Sequence, residues 1–490
     1  MKQLFIVAVT MLSFSVHSQE NTLLDRSFWK KNPNIQAVEA EIKKGNNPSE
    51  LNSNAFDPVV LAINEQASNE VIKFLLDQKG NDVNKLTHDG RTYIFWAAFR
   101  GNVEILDQLL RSGAKTNILD DKGSSALNFA ASSGQENTKV YDLLIANGID
   151  PKKDSDNKGA NALLLVAPHD KDFKLINYFV DKGLDIKSTD KDGNTAFNYA
   201  SRTGNIATLK ALIGKGVKYN DNAMLMASQG GRGTANTLEV YQYLESLKLK
   251  PTVIGKNGEN ALHYIVRKEK QKAIIEYFLS KGVDINKEDN EGNTPFLNAA
   301  GSNHEINVVE MLSSKVKDIN HKNKKGVTAL AFAIKSNTPE VVRLLQEKGA
   351  DSKVVDNNGD NLIVYLMDSY NPRKREDFEL KTKILREQGL DFAAPQKNGT
   401  TVYHLALAKN DLELIKISEE FKADVNHKSK DGITPLQQAA LTAKDDAILK
   451  YLLSIGAKKD TTTEFGETAY DLASENEMLT KNKVSIDFLK

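Results

Sequence analysis

A chain of 490 residues is long enough for several globular domains or for one extended array. Its 65 lysines and arginines are matched by 65 aspartates and glutamates, so no global field favours nucleic acid or an anionic membrane. The absence of cysteine excludes disulfides, thiolate metal sites and a cysteine nucleophile, which leaves packing to supply stability.

The first twenty residues, MKQLFIVAVTMLSFSVHSQE, carry Lys2, an apolar run from Leu4 to Val16, and small or neutral side chains around Ser18. That run is too short to span a bilayer and has the basic, apolar and small-residue zones of a secretory signal. A signal peptide over residues 1–18 is therefore expected, cleaved before Gln19. The product is expected to be exported to the periplasm, with the extracellular medium as the alternative. No later segment reaches the length of a membrane span.

Residues 19–55 form an N-terminal capping unit on this reading, with apolar Phe28, Trp29, Ile35, Val38 and Ile42. They lack the entry that follows again and again, seen most clearly in NEGNTPFLNAA at 290–300. There Gly292 suits a tip needing positive φ, Thr294 caps a helix, and Pro295 fits its first position. Tip glycines recur at Gly90, Gly123, Gly159, Gly193, Gly258, Gly292, Gly326, Gly359, Gly399, Gly432 and Gly466, about 33 residues apart with one double step after Gly193. Each opens a polar cap followed by an apolar helix, such as SSALNFAA, NTAFNYAS or ITPLQQAA. Gly113, Gly148, Gly183, Gly282, Gly349 and Gly456 are expected to stop the partner helices as left-handed caps.

The first block of repeats spans 56–219. An irregular central repeat covers 220–255, with Asn220 standing where the tip glycine is expected and a flexible GGRGTAN insertion at 230–236. The second block spans 256–463 and a C-terminal capping repeat 464–490, where Glu475, Asn476 and Glu477 are expected to give polar cover. Within the second block SYNPRKREDFEL (369–380) is expected to lengthen a connection and place Arg373, Lys374 and Arg375 on a loop.

DNEGNTPFLNAA (289–300) and KDGITPLQQAA (430–440), together with FLSKGVDIN (278–286) and LLRSGAKTN (109–117), resemble the ankyrin-repeat family. The resemblance covers about residues 35–475 and implies an all-α solenoid of about fourteen helix-turn-helix units with β-hairpin fingers, wound into a curved superhelix. It also implies protein binding as the default role, a step made by analogy.

Chemistry of the chain's own is not evident. None of His88, His169, His263, His304, His321, His404 and His427 forms H-x-x-x-H or HExxH, so no metal site is expected. His263 and His404 occupy the histidine position of T-P-L-H, where a structural hydrogen bond is expected. The acidic tips DSDNKGA (154–160) and STDKDGN (188–194) lack the twelfth-position carboxylate of a calcium loop. No phosphate-binding glycine loop is present, so no catalytic residue and no cofactor is assigned. Basic clusters at Arg267–Lys272, Lys322–Lys325 and Arg373–Arg375 lie beside acids and read as solvated surface, with an anionic protein as the alternative partner.

Candidate contact residues come from position within the repeat. With the tip glycine as position four, position ten is Trp96, Phe129, Tyr199, Tyr264, Phe332 and Tyr365, and position thirteen includes Phe99, Arg202, Arg267 and Lys335, with Arg100 beside Phe99. The rings either line a concave face or fill space between adjacent inner helices. The expected function is a non-catalytic, monomeric scaffold binding another protein, without nucleic acid. The alternative is a carbohydrate- or small-ligand-binding module that uses the aromatic row.

Overall fold

The computed structural model describes residues 21–231 and 235–490. The expected signal peptide and residues 232–234 of the glycine-rich insertion lie outside the described residues. The described residues divide into two compact units, 21–200 with 207–219, and 201–206 with 220–231 and 235–490. All named elements of the described residues are helices, twenty-eight of them α-helical, and the β-type pairing they show is one isolated bridge, Thr189 with Thr195.

In the first unit the inner helices Pro58–Asn64, Tyr93–Arg100, Ala126–Ser132, Ala162–Val166 and Ala196–Ala200 stack in sequence order. The outer helices Asn69–Leu76, Val103–Arg111 and Thr138–Ala146 form a second row. The second unit repeats the plan from Asn222–Gln229 to Ala469–Glu475, with Ile306–Ser313, Pro339–Glu347 and Arg375–Glu387 in its outer row. Small side chains on inner helices, such as fully buried Ala97, Ala98, Ala299 and Ala300, let the outer helices approach. Against them lie Ile105, Leu106, Val308, Val309 and Leu312, all fully buried. No repeat buries these faces by itself, so each unit is a solenoid stack stabilised by its neighbours.

The entries are built as their residues require. Asp57, Ser125, Asn161 and Thr294 each accept the N–H three residues on, closing the first turns of inner helices. The loop before each entry is a turn rather than a hairpin. Two backbone bonds close it, as from Asp120 N to Ser124 O at 2.9 Å and from Gly123 N to Asp120 O at 2.8 Å. The leading Asp or Asn supplies the rest: Asp120 Oδ1 accepts from Lys122 N and Ser124 N, both at 2.9 Å. These bonds stay within the turn and do not extend into a ladder, so no strands of the expected β-hairpins are found among the described residues. Backbone bonds also join adjacent fingers, for example Asp121 N to Asp89 O at 3.0 Å and Asn357 N to Lys325 O at 3.0 Å. Gly326 has φ 80°, and a Cβ there would lie 2.7 Å from Asn357 N, so a side chain would push the neighbouring finger away.

Three local expectations are corrected. Asn220 is not left-handed; its side chain accepts from Asn222 N at 3.0 Å, bracing the turn one residue ahead of the helix cap Asp221. Arg373 and Lys374 lie in a short 3₁₀ turn and Arg375 opens a helix, Arg375–Glu387, of 13 residues. The extra residues thus extend the outer helix, because Pro372 starts the turn and Glu376 and Asp377 favour the helix N-terminus. Asn476 is buried rather than surface cover, donating from Nδ2 to Ala440 O and Ala443 O, both at 2.9 Å.

That last contact belongs to a recurring device. Asn303 donates to Val266 O at 2.9 Å, and Asn337 to Ala300 O and Asn303 O, both at 2.8 Å. Each amide satisfies carbonyls left open where the preceding inner helix ends. In the repeat with the long outer helix, buried Lys381 takes over, donating from Nζ to Ile334 O at 2.9 Å.

Outer helices ending at Gly113, Gly349 or Gly456 turn through φ near 90° or above, but Lys422 adopts φ 57° at the corresponding exit. Lys422→Gly is expected to raise the stability of the second unit by about 0.5–1 kcal/mol, measured by urea denaturation, since a side chain gains nothing there and resists the left-handed backbone.

Candidate functional site

Most position-ten rings are tied to the fingers beneath them. The carboxylate that closes a finger through Oδ1 offers Oδ2 to the inner helix: Tyr199 donates to Asp190 at 3.0 Å and Tyr365 to Asp356 at 2.8 Å. Trp96 Nε1 donates to Thr87 Oγ1 at 2.9 Å, and Tyr264 to Glu259 at 2.7 Å. Burial, assisted by the Glu259 carboxylate, pushes the Tyr264 hydroxyl up to about 12, so it remains a donor near neutrality. The bonds are braces between finger and helix. Trp96 and Tyr199 are each only 5% exposed, whereas Phe129, Tyr264, Phe332 and Tyr365 are half-buried.

In the first unit the structure brings Trp96, Phe99 and Phe129 together. Phe129 stacks on Phe99 at 5.5 Å and meets the edge of Trp96 at 5.7 Å. Two residues outside the position-ten pattern extend the cluster: Phe56 lies 5.5 Å from Trp96 and stacks on His88 at 4.6 Å. Arg91 sits within it, its guanidinium 4.1 Å from the centre of the Phe129 ring, while Nε and Nη2 donate to Asp120 Oδ2 at 3.1 and 2.9 Å. Arg100 is exposed and lies over Phe99 at 5.5 Å. Arg91 follows its tip glycine directly, a position where no pattern in one sequence points to a buried cation.

In the second unit Arg202 is half-buried, and Arg267 and Lys335 are exposed. Arg267 donates to Asn298 Oδ1 at 2.6 Å. Lys335 and Lys409 grip Asp368 at 2.8 and 3.1 Å. Burial alone would raise the Asp368 carboxyl, but the two ammonium groups outweigh it and hold it below the usual range. No ring contact joins Tyr264, Phe332 and Tyr365 among the described residues. They are therefore separate features of successive repeats.

The histidines expected to be structural have that geometry. His263 Nδ1 accepts from Asn260 N at 3.0 Å and its Nε2 lies 3.0 Å from Asn293 O, linking a helix cap to the next finger. His404 does the same with Thr401 N at 3.1 Å and Ile433 O at 3.0 Å. Burial holds both imidazoles below their ordinary value of 6.5, and the bonds require an unprotonated Nδ1. Gln437 fills the equivalent place with an amide, accepting from Thr434 N at 2.9 Å and donating to Thr461 O at 2.9 Å. Because the folded value is depressed, the unfolded chain binds more protons, so this contribution is intact above about pH 6.5 and is lost as pH falls through the folded value. Melting temperature should fall less between about pH 7.5 and 5 in a His263→Gln, His404→Gln variant than in the wild type.

Among the described residues no cluster of three His, Asp or Glu side chains could hold a metal ion, and no helix is long and apolar enough to cross a membrane. The finger carboxylates at the acidic tips are engaged in their own turns, as Asp156 Oδ1 is by Lys158 N and Ala160 N.

Short inner and outer helices, stacked in register and joined by capped turns, define a helical repeat protein. The family model for ankyrin repeats matches residues 30–120, 59–155, 97–190, 127–223, 224–323 and 299–371, and the chain belongs to the ankyrin-repeat family. It is 25% identical over 451 residues, 90% of its length, to the human transient receptor potential cation channel subfamily A member 1, of which it covers 34%. It is 29% identical over 99 residues, 20% of its length, to human protein phosphatase 1 regulatory subunit 27, covering 64% of that protein. The phosphocholine transferase AnkX of Legionella pneumophila is 25% identical over 245 residues, half of this chain and 23% of the transferase. The chain thus spans less than two thirds of each of these relatives.

Proposed function

We propose that this chain is a non-catalytic scaffold of about fourteen stacked repeats that binds another protein through the exposed ends of its inner helices and its finger tips. The observation carrying this reading is the contrast along each inner helix. Bodies such as Phe95 to Ala98 and Leu297 to Ala300 are buried, while the ends present Phe99, Arg100, Arg267 and Lys335. Partner contact therefore leaves the packing of the stack untouched. The proposal extends to an exported, monomeric protein acting in the periplasm or outside the cell, on the strength of the basic, apolar and small-residue zones at the N-terminus. A carbohydrate site built on the aromatic row would need open ring faces, which Trp96 and Tyr199, at 5% exposure, offer little of.

Photo-crosslinking groups placed at Phe99, Arg267 and Lys335 in the full chain, followed by mass spectrometry in the producing cells, test the reading. The expected result is one protein crosslinked at two or more of these positions. Recovery of polysaccharide alone, lost in Phe99→Ala and Tyr264→Ala variants, overturns it in favour of a glycan-binding module.

A further inference from the structure

The fingers of the second unit differ in charge from the chain as a whole. Between residues 322 and 430 the tips and inner-helix ends carry Lys322, Lys324, Lys325, Lys397, Lys428 and Lys430, all exposed, besides the Lys335–Asp368–Lys409 group. The other acids at these tips and ends are Asp356, Asp360 and Asp431, and Asp356 is engaged in closing its own finger through Asn358 N and Asp360 N. Glu288 and Glu291 precede the stretch, and Glu464 and Glu467 follow it. Lys324, Lys325, Lys397 and Lys430 have no carboxylate within ion-pair distance among the described residues. Their charges are left to solvent.

Two backbone bonds and one to a glutamine side chain fix these tips side by side. Asn357 N donates to Lys325 O at 3.0 Å, Asn361 N to Gln396 Oε1 at 3.0 Å, and Lys430 N to Asn398 O at 2.9 Å, so four successive fingers form one row. The stem of Lys397 lies across Gly359, where a Cβ would meet its Cδ at 2.3 Å, so the row continues without a step between the second and third fingers. Val355, 46% exposed, stands among the cations, and its carbonyl accepts from Lys322 Nζ at 3.0 Å.

We propose that this four-finger row binds an acidic segment of the partner protein, one with apolar side chains interspersed among its carboxylates. The inference rests on the scaffold reading and names the chemistry of the partner. Charge complementarity sets the sign: free lysines on adjacent tips meet carboxylates at little desolvation cost and steer their approach. The interspersed features select a peptide over a nucleic acid. Asp360 and Asp431 would repel an unbroken line of phosphates, whereas a mixed segment can place its own cation or an apolar side chain opposite them, and Val355 offers that side chain a contact. Fingers one repeat apart, at roughly 10 Å, make a row of about 30 Å, the length of about nine extended residues.

The test uses the full chain and a fluorescent peptide of about twelve residues in which glutamate pairs alternate with leucine. Fluorescence anisotropy should show binding that weakens as salt rises. It should fall about a hundredfold when Lys324, Lys325, Lys397 and Lys430 are changed to Glu, and about tenfold when they are changed to Gln, with the melting temperature held. Equal binding of this peptide to wild type and the Glu variant overturns the proposal, as does tighter binding of a single-stranded DNA oligomer of the same charge. If crosslinking at Phe99 or Arg267 still recovers a protein while the peptide behaves in that way, the cation row falls and the scaffold stands. If the peptide shows the expected charge dependence and crosslinking returns only polysaccharide, the row stands and the general reading falls.

Discussion

Asp57→Ala is expected to cost the first unit about 3–5 kcal/mol, because one fully buried carboxylate serves three partners at once. Its Oδ1 accepts from Val60 N at 2.9 Å and caps the helix Pro58–Asn64. Its Oδ2 takes the Tyr93 hydroxyl at 2.6 Å and lies 2.8 Å from Lys85 Nζ. Burial and then the Asp57 charge push the Tyr93 hydroxyl far above its ordinary value, which makes it a fixed donor. Alanine leaves a half-buried ammonium without its counter-charge, a buried hydroxyl with only its longer contact to Asn81 Oδ1 at 3.2 Å, and a helix without a cap. Asp57→Asn keeps an acceptor for the cap but not the charge, so about half the loss is expected. Because the repeats interact only with their neighbours, a single melting temperature would blur the effect. Hydrogen exchange should localise it: amides of Pro58–Asn64 and Tyr93–Arg100 lose protection, while those of Pro295–Ser302 in the second unit keep theirs. Equal exchange rates in both units would refute the assignment.

Why the tip-and-cap grammar can be read from sequence, and the Asp57 network cannot, follows from the range of the interactions. Gly292, Thr294 and Pro295 act on their own turn, so their chemistry is visible within a few residues. Asp57 pairs with Tyr93 across one repeat, and Lys381 reaches Ile334 across a longer span. Nothing local marks such a partner. The amides Asn303, Asn337 and Asn476 show the same limit: each looks like a solvated side chain after a helix, yet each is buried against the preceding repeat. The long helix Arg375–Glu387 is hidden because Asn371 and Pro372 read as loop, although a proline is equally at home where a helix begins. The position-ten aromatics are legible as a row, but the hydroxyl-to-finger bonds of Tyr199 and Tyr365 depend on a carboxylate nine residues earlier that already has a role in the turn.

Arg91→Ala is expected to be the second large loss, about 3 kcal/mol, and to separate packing from ionic contributions within the aromatic cluster. Asp120 divides its work: Oδ1 closes its own finger through Lys122 N and Ser124 N, while Oδ2 receives Nε and Nη2 of Arg91. The side chains are 6% and 1% exposed, so removing the guanidinium strands a carboxylate oxygen that water reaches poorly. It also removes the planar group that sits 4.1 Å from the Phe129 ring centre and 5.5 Å from that of Trp96. Arg91→Lys keeps the charge but neither the two-nitrogen grip nor the flat face, so a loss of about 2 kcal/mol is expected. Arg91→Met with Asp120→Asn removes both charges and keeps the volume and the turn. It should recover most of the stability if the cost of Arg91→Ala lies in the stranded carboxylate. Indole fluorescence of Trp96 reports the ring packing independently. A red shift in Arg91→Ala that persists in the double variant assigns the loss to ring packing instead, and makes Phe129 the residue on which the cluster depends.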